Sequence, residues 1–235
     1  MDSPHEAAVQ QTIRQLDQTV DAPFAGRITE DEVRAAVKRG KNMKAPGNDG
    51  IFNLVLKKLS NKAYRHLAAI FTRCFELDYF PTRWKQGKII PIPKPGKDPT
   101  NPSSYRPISL LSAVSKVFER LILYRLLEFV EEHNIFAPEQ FGFRKGHSAV
   151  HQLVRVENFI HRNKMLSNNT AMALLDVEKA FDNVWHDGLI HKMVQANIPG
   201  YLTRIIRNYL GNRTFKVHLA GATSEAHAIP TGVPQ

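Results

Sequence analysis

The chain has 235 residues, 43% hydrophobic and 23% charged, which excludes a disordered chain and fits one large domain or two small ones. Its formal net charge of +10 favours a polyanionic partner, and the excess is concentrated: Arg34 to Lys97 holds 15 Lys and Arg against three acids, Asp49, Glu76 and Asp78. Cys74 is the only cysteine, which excludes an intrachain disulfide, and no run reaches the roughly 18 apolar residues of a membrane span. With a polar start and no secretory pattern, the protein is expected to be soluble and intracellular, with nucleus or cytoplasm and the oligomeric state left open.

Residues 1–27 read as a polar flanking linker with a short helix from Glu6 to Leu16, whose Val9, Ile13 and Leu16 make only a ragged stripe. Thr29-Glu-Asp-Glu32 is a capping-box pattern, so a helix should start at Thr29 and end near Gly40 with Val33 and Val37 inward. Pro46, Gly47 and Gly50 then specify a loop. Its glycines would let backbone amides approach a phosphate and Lys41 and Lys44 add charge, but a plain connection fits equally well. Two helices should follow, Ile51 to Leu59 and Ala63 to Leu77, with Leu67, Ile70, Phe71 and Phe75 as core.

Lys88 to Ile92 reads as a strand that Pro91 confines to an edge or bulge, and a basic turn over 93–104 joins it to a second arm at Tyr105, giving a hairpin. Ser112 to His133 is the longest helix signal. A loop over 136–146 holds Phe141 and Phe143, which could stack on bases or serve as core, and a helix capped by Ser148 should run from Ala149 to about Arg162. Helices are expected over 185–195 and 201–210, and a hairpin of Thr214–Leu219 and Glu225–Ile229 turning at Gly221.

Between these lies the stretch Ala173 to His186, Ala-Leu-Leu-Asp-Val-Glu-Lys-Ala-Phe-Asp-Asn-Val-Trp-His. The apolar run Met172 to Leu175 suits a buried strand delivering Asp176 at its end, where a short carboxylate can hold a hard cation such as Mg2+. The plainer reading is that Asp176 ends a strand, Phe181 is core and Asp182 starts a helix.

The pattern Asp176 to His186 resembles the first catalytic motif of reverse transcriptases from retrotransposons lacking long terminal repeats, closest in detail to the jockey-like elements of insects. Four further stretches resemble the same family in the same order: Lys44-Ala-Pro-Gly-Asn-Asp-Gly-Ile51; Ile90-Pro-Ile-Pro-Lys-Pro-Gly-Lys97 with Tyr105-Arg-Pro-Ile-Ser-Leu110; Glu139-Gln-Phe-Gly-Phe-Arg144; and Pro230-Thr-Gly-Val-Pro-Gln235. The resemblance implies an α+β, helix-rich right-hand polymerase with a small, mostly antiparallel sheet. Its fingers would span residues 28–168, and an incomplete palm 169–235.

It further implies an RNA-directed DNA polymerase working on RNA template, DNA primer and deoxynucleoside triphosphates, with Mg2+, or Mn2+ in its place, as cofactor. Asp176 would be the catalytic, metal-bridging carboxylate, with the Val177 carbonyl completing the metal shell. Lys94 and Arg106 would meet the nucleotide's phosphates, Phe181 would clash with a 2′-hydroxyl, and Gln235 would begin another nucleotide contact. Lys41, Lys44 and Arg144 would touch nucleic acid. Asp182 is expected to be a cap or structural partner, and His186 an ordinary polar residue at a strand–helix corner.

The family completes its metal site with a Tyr-x-Asp-Asp turn, and these 235 residues contain none. The expectation is a reverse transcriptase fragment, truncated before that motif, that binds nucleic acid but does not polymerise alone. Two other readings stand beside it, an RNA-binding module without chemistry and a maturase-like relative.

Overall fold

The computed structural model describes residues 3–18, 24 and 26–234. The helices are α1 (Pro4–Gln18), α2 (Glu30–Lys38), α3 (Asn53–Lys57), α4 (Asn61–Glu76), α5 (Ala113–Glu132), α6 (Ala149–Met165), α7 (His186–Gln195) and α8 (Gly200–Leu210); the strands are β1 (Gln86–Pro93), β2 (Tyr105–Leu110), β3 (Arg213–Leu219), β4 (Ala222–Thr223) and β5 (His227–Ile229). The protein is α+β. Its contacts divide it into two compact units, Met1–Glu128 with Ala180–Gln235, and Phe129–Lys179.

In the larger unit, local chemistry sets the helix starts. The Thr29 side chain accepts from the Glu32 amide while Glu32 Oε2 accepts from the Thr29 amide at 2.8 Å, the reciprocal capping box that satisfies two otherwise unpaired donors of α2. Ser60 caps α4 in the simpler way, accepting from Ala63 N. The core is aromatic. Phe71, Phe75, Phe80 and Phe118 are fully buried, and Phe71 stacks on Phe118 with ring centroids 5.1 Å apart. Each such side chain contributes about 1.5–3 kcal/mol by burial.

Ile70, expected in this core, is 49% exposed, because α4 buries the stripe Tyr64, Ala68, Phe71, Cys74 and Phe75 and Ile70 lies off it. Helix α1 buries its ragged stripe after all: Val9, Ile13 and Leu16 pack with Ile190 and Met193 of α7.

The sheet is mixed, in the order β2-β1-β3-β4 with β5 also on β3. β1 and β2 form the expected antiparallel hairpin, whereas β1 and β3 run parallel. β3 pairs with β1 only as far as Ile89, so Pro91, which has no N–H to give, sits where β1 has become an edge. Lys85 leads into β1 and is buried; its ammonium donates to Asn208 Oδ1 at 2.9 Å and to the Gly211 carbonyl, tying the start of β1 to the end of α8.

The smaller unit holds the end of α5, the loop over 136–146, α6 and the segment after it. Ser148 caps α6 as expected, by accepting from His151 N. The strand expected over Met172–Leu175 is absent: the segment is irregular, with Leu174 85% and Leu175 95% exposed. A four-residue strand has no hydrogen bonds of its own and persists only against a neighbour, and no described strand pairs with it.

Candidate functional site

The larger unit brings together two sequence stretches about fifty residues apart. The turn that carries Phe181 and Asp182 is held by the segment Pro230–Pro234 through four contacts. Val233 N donates to Phe181 O at 2.8 Å and Gly232 N to Val184 O at 2.9 Å. Thr231 Oγ1 donates to Asp182 O at 3.2 Å, and His186 Nε2 lies 2.6 Å from Gly232 O. Gly232 is at φ +84°, and a Cβ there would stand 2.7 Å from Asp182 O and 3.0 Å from its carbonyl carbon. Only glycine fits both the left-handed backbone and this approach. The contacts at Asp182 are made by its main-chain carbonyl.

Beside this clamp an open groove of about 870 Å³ runs along one face of the sheet, lined by Gly87, Ile89, Pro107, Phe215, Asp182 and the clamp segment, among others. Arg213 also lines it. That side chain is 3% exposed, its guanidinium lies 4.7 Å from the Tyr209 ring centroid, and Nη1 donates to Tyr209 O.

Alternation along β2 turns Arg106 to the face opposite Pro107 and Ser109. The register puts two more cations on Arg106's face. Ile92 lies opposite Arg106, Lys88 shares the face of Ile92, and Lys216 lies opposite Lys88 across the parallel pair. Lys94, at the hairpin's turn, bends its ammonium to the Ser103 carbonyl at 2.8 Å. Sequence reading missed Lys88 and Lys216, since their partnership exists only once β1 and β3 are in register.

Lys41 and Lys44 are exposed on the loop before α3 and line a small pocket with Lys116 and Arg120 of α5. Burial, opposed by Glu119 and reinforced by the charges of Lys44 and Arg120, draws the Lys116 ammonium below the usual lysine range. Gly47 of this loop is buried, and a Cβ on it would lie 2.5 Å from Ser112 N. This glycine is needed for backbone packing at the start of α5, a reason the sequence reading did not offer.

In the smaller unit, Asp176 and Val177 are exposed, and Asp176 Oδ1 accepts from the Val177 amide at 3.0 Å. Arg144 is held within its own loop, with Nη1 near Ala137 O and the guanidinium 5.6 Å from the Phe136 ring centroid. Phe141 packs edge-on against His147 at 5.2 Å, while Phe143 is 91% exposed at φ +58°, a backbone region that a bulky side chain adopts only at a cost. Gln235 lies outside the described residues.

A family profile for reverse transcriptase (RNA-dependent DNA polymerase) matches residues 92–235, well over half of the chain. The chain belongs to the reverse transcriptase family. This reverse transcriptase chain is 41% identical, over 97% of its length, to a protein named a probable RNA-directed DNA polymerase from transposon X-element of Drosophila melanogaster. It is 37% identical over 99% of its length to the RNA-directed DNA polymerase from mobile element jockey of the same fly. It is also 27% identical over 88% of its length to the retrovirus-related Pol polyprotein from type-1 retrotransposable element R2 of Popillia japonica. The chain spans about a quarter of the length of these relatives: 25% of the X-element protein, 26% of the jockey protein and 28% of the R2 protein.

The family uses divalent metal ions. Among the described residues no group of three or more His, Cys, Asp or Glu is gathered to hold one, and Asp176 turns one oxygen to its own main chain. A lone exposed carboxylate does not make the multi-oxygen site that a hard cation requires, so the described residues do not by themselves fit such an ion. No described helix is long and apolar enough to cross a membrane.

Proposed function

We propose that this chain is part of an RNA-directed DNA polymerase that copies an RNA template into DNA by extending a primer with deoxynucleotides. The observation that carries this reading is the clamp. It holds the Phe181–Val184 turn of the family's first catalytic motif against Thr231–Val233, at the start of the next one. Residues 28–168 act as fingers and residues 169–235 as part of a palm. In the whole enzyme, Asp176 would be one of the carboxylates holding two metal ions, which would supply the charge stabilisation for nucleotidyl transfer.

Within these residues, Lys94 and Arg106 engage the triphosphate, and Phe181 reads the sugar. Lys41, Lys44 and Arg144 follow the nucleic-acid backbone, and the exposed ring of Phe143 supports base stacking. With one carboxylate of the metal site and no Tyr-x-Asp-Asp, these 235 residues bind nucleic acid without extending a primer.

The test is primer extension on poly(rA) with Mg2+, comparing this chain with a longer one that runs through a Tyr-x-Asp-Asp turn. Extension by the longer chain alone is the expected result. In it, Asp176→Ala abolishes extension, a loss of at least about 10³-fold, and leaves RNA affinity within about twofold. Retained extension in that variant refutes the role of Asp176, and binding without extension in both native chains favours an RNA-binding module.

A further inference from the structure

We propose that His186 is a positioning residue for sugar selection: its ring holds the Pro230–Pro234 segment against the turn that carries Phe181, and thereby fixes where the Phe181 ring stands. This inference rests on the polymerase reading above.

The Gly232 carbonyl can only accept, so the 2.6 Å contact requires a proton on His186 Nε2. His186 is the first residue of α7, a helix anchored by buried Ile190 and Met193. The donor therefore stands on a rigid element, whereas the turn it serves forms neither helix nor strand and takes its shape from what holds it.

The fit has no slack. With Gly232 pressed on the main chain of Asp182, any displacement of the segment also moves the turn. Of the four contacts in the clamp, two are main chain to main chain and one is a threonine hydroxyl. The histidine is the one that fastens the clamp to the helical core. A small error in the placement of a group that contacts substrate is enough to lower discrimination.

The test has two parts. In the 235-residue chain, amide hydrogen exchange of Gly232 and Val233 should quicken about three- to tenfold in His186→Ala, the loss of one hydrogen bond. It should stay near the native rate in His186→Gln, whose amide nitrogen can occupy the place of Nε2. Unchanged α4 amides show that the variants are folded. Native protection of Gly232 and Val233 in His186→Ala overturns the proposal.

In the longer chain, the ratio of kcat/KM for deoxy- over ribonucleotide should fall about tenfold in His186→Ala and recover in His186→Gln. The loss should arise from a lower KM for the ribonucleotide, with kcat for the deoxynucleotide nearly unchanged. Extension with undiminished selectivity in His186→Ala overturns the role of His186 alone. A native longer chain that never extends a primer overturns the polymerase reading, and the sugar-selection role with it.

Discussion

Replacing Gly47 with alanine tests the packing of the loop before α3 directly. A Cβ at this position would stand 2.5 Å from Ser112 N, 2.6 Å from the Leu111 carbonyl carbon and 3.0 Å from the Leu111 oxygen. All three are main-chain atoms joining β2 to α5, so no side chain can rotate away. Ordinary contact lies near 3.5 Å, and the loop or the start of α5 must therefore yield by about 1 Å. Overpacking of this kind costs about 1–3 kcal/mol. Gly47 is buried in the larger unit, so the cost falls on global stability. At this chain length, that is a fall in Tm of about 2–12 °C.

Gly50 in the same loop is the control. It lies at φ +67° with open space around it, so alanine there incurs only backbone strain, about 1–2 kcal/mol, without moving α5. Thermal and urea unfolding of both variants measure the two losses. Exchange of the first α5 amides separates them, rising in Gly47→Ala and staying native in Gly50→Ala. Stability of Gly47→Ala within about 0.5 kcal/mol of native, with α5 amides unchanged, refutes the packing assigned to Gly47.

Burial, ahead of the opposing charge of Arg213 and the Ser115 hydroxyl at 3.1 Å, raises the Glu119 carboxyl above its ordinary value of 4.5. The folded state then holds the proton more tightly than the unfolded state does. Stability from Glu119 is fully present below 4.5 and lost as pH rises through the raised value. Glu119→Gln keeps the acceptor for Ser115 and removes this dependence. Its Tm relative to native should therefore climb as pH rises above about 4.5, and a difference independent of pH refutes the assignment. Lys88 and Lys216 share a sheet face with Arg106. If that face follows a nucleic-acid backbone, Lys88→Gln with Lys216→Gln should reduce the slope of log affinity against log salt by about 1.5. An unchanged slope in filter binding excludes the face from the interface.

Much of this chain is legible from local pattern, because capping, helical spacing and turn chemistry act over a few residues. Thr29 and Glu32 bond each other three positions apart, and Ser60 and Ser148 each reach an amide three residues on. The family was legible for a related reason: motifs such as Ala180-Phe181-Asp182 are contiguous, and their order along the chain is itself information.

Other features depend on partners that local pattern does not name. The apolar run Met172–Leu175 reads as a strand, but strand formation needs a neighbouring ladder, and in this structure the run is exposed. His186 looked ordinary because its partner, Gly232, lies 46 residues away. Gly47 fitted a phosphate loop and a plain connection equally well along the sequence, and only the fold sets Leu111 and Ser112 against it. Lys88 and Lys216 joined Arg106 only through strand register. The sequence by itself determined the helices, the hairpins and the family, since these follow from short-range energetics and contiguous motifs. Which glycines are indispensable, which histidine holds the clamp and which cations share a face were decided by tertiary structure, because close approach between distant segments leaves no periodic trace along the chain.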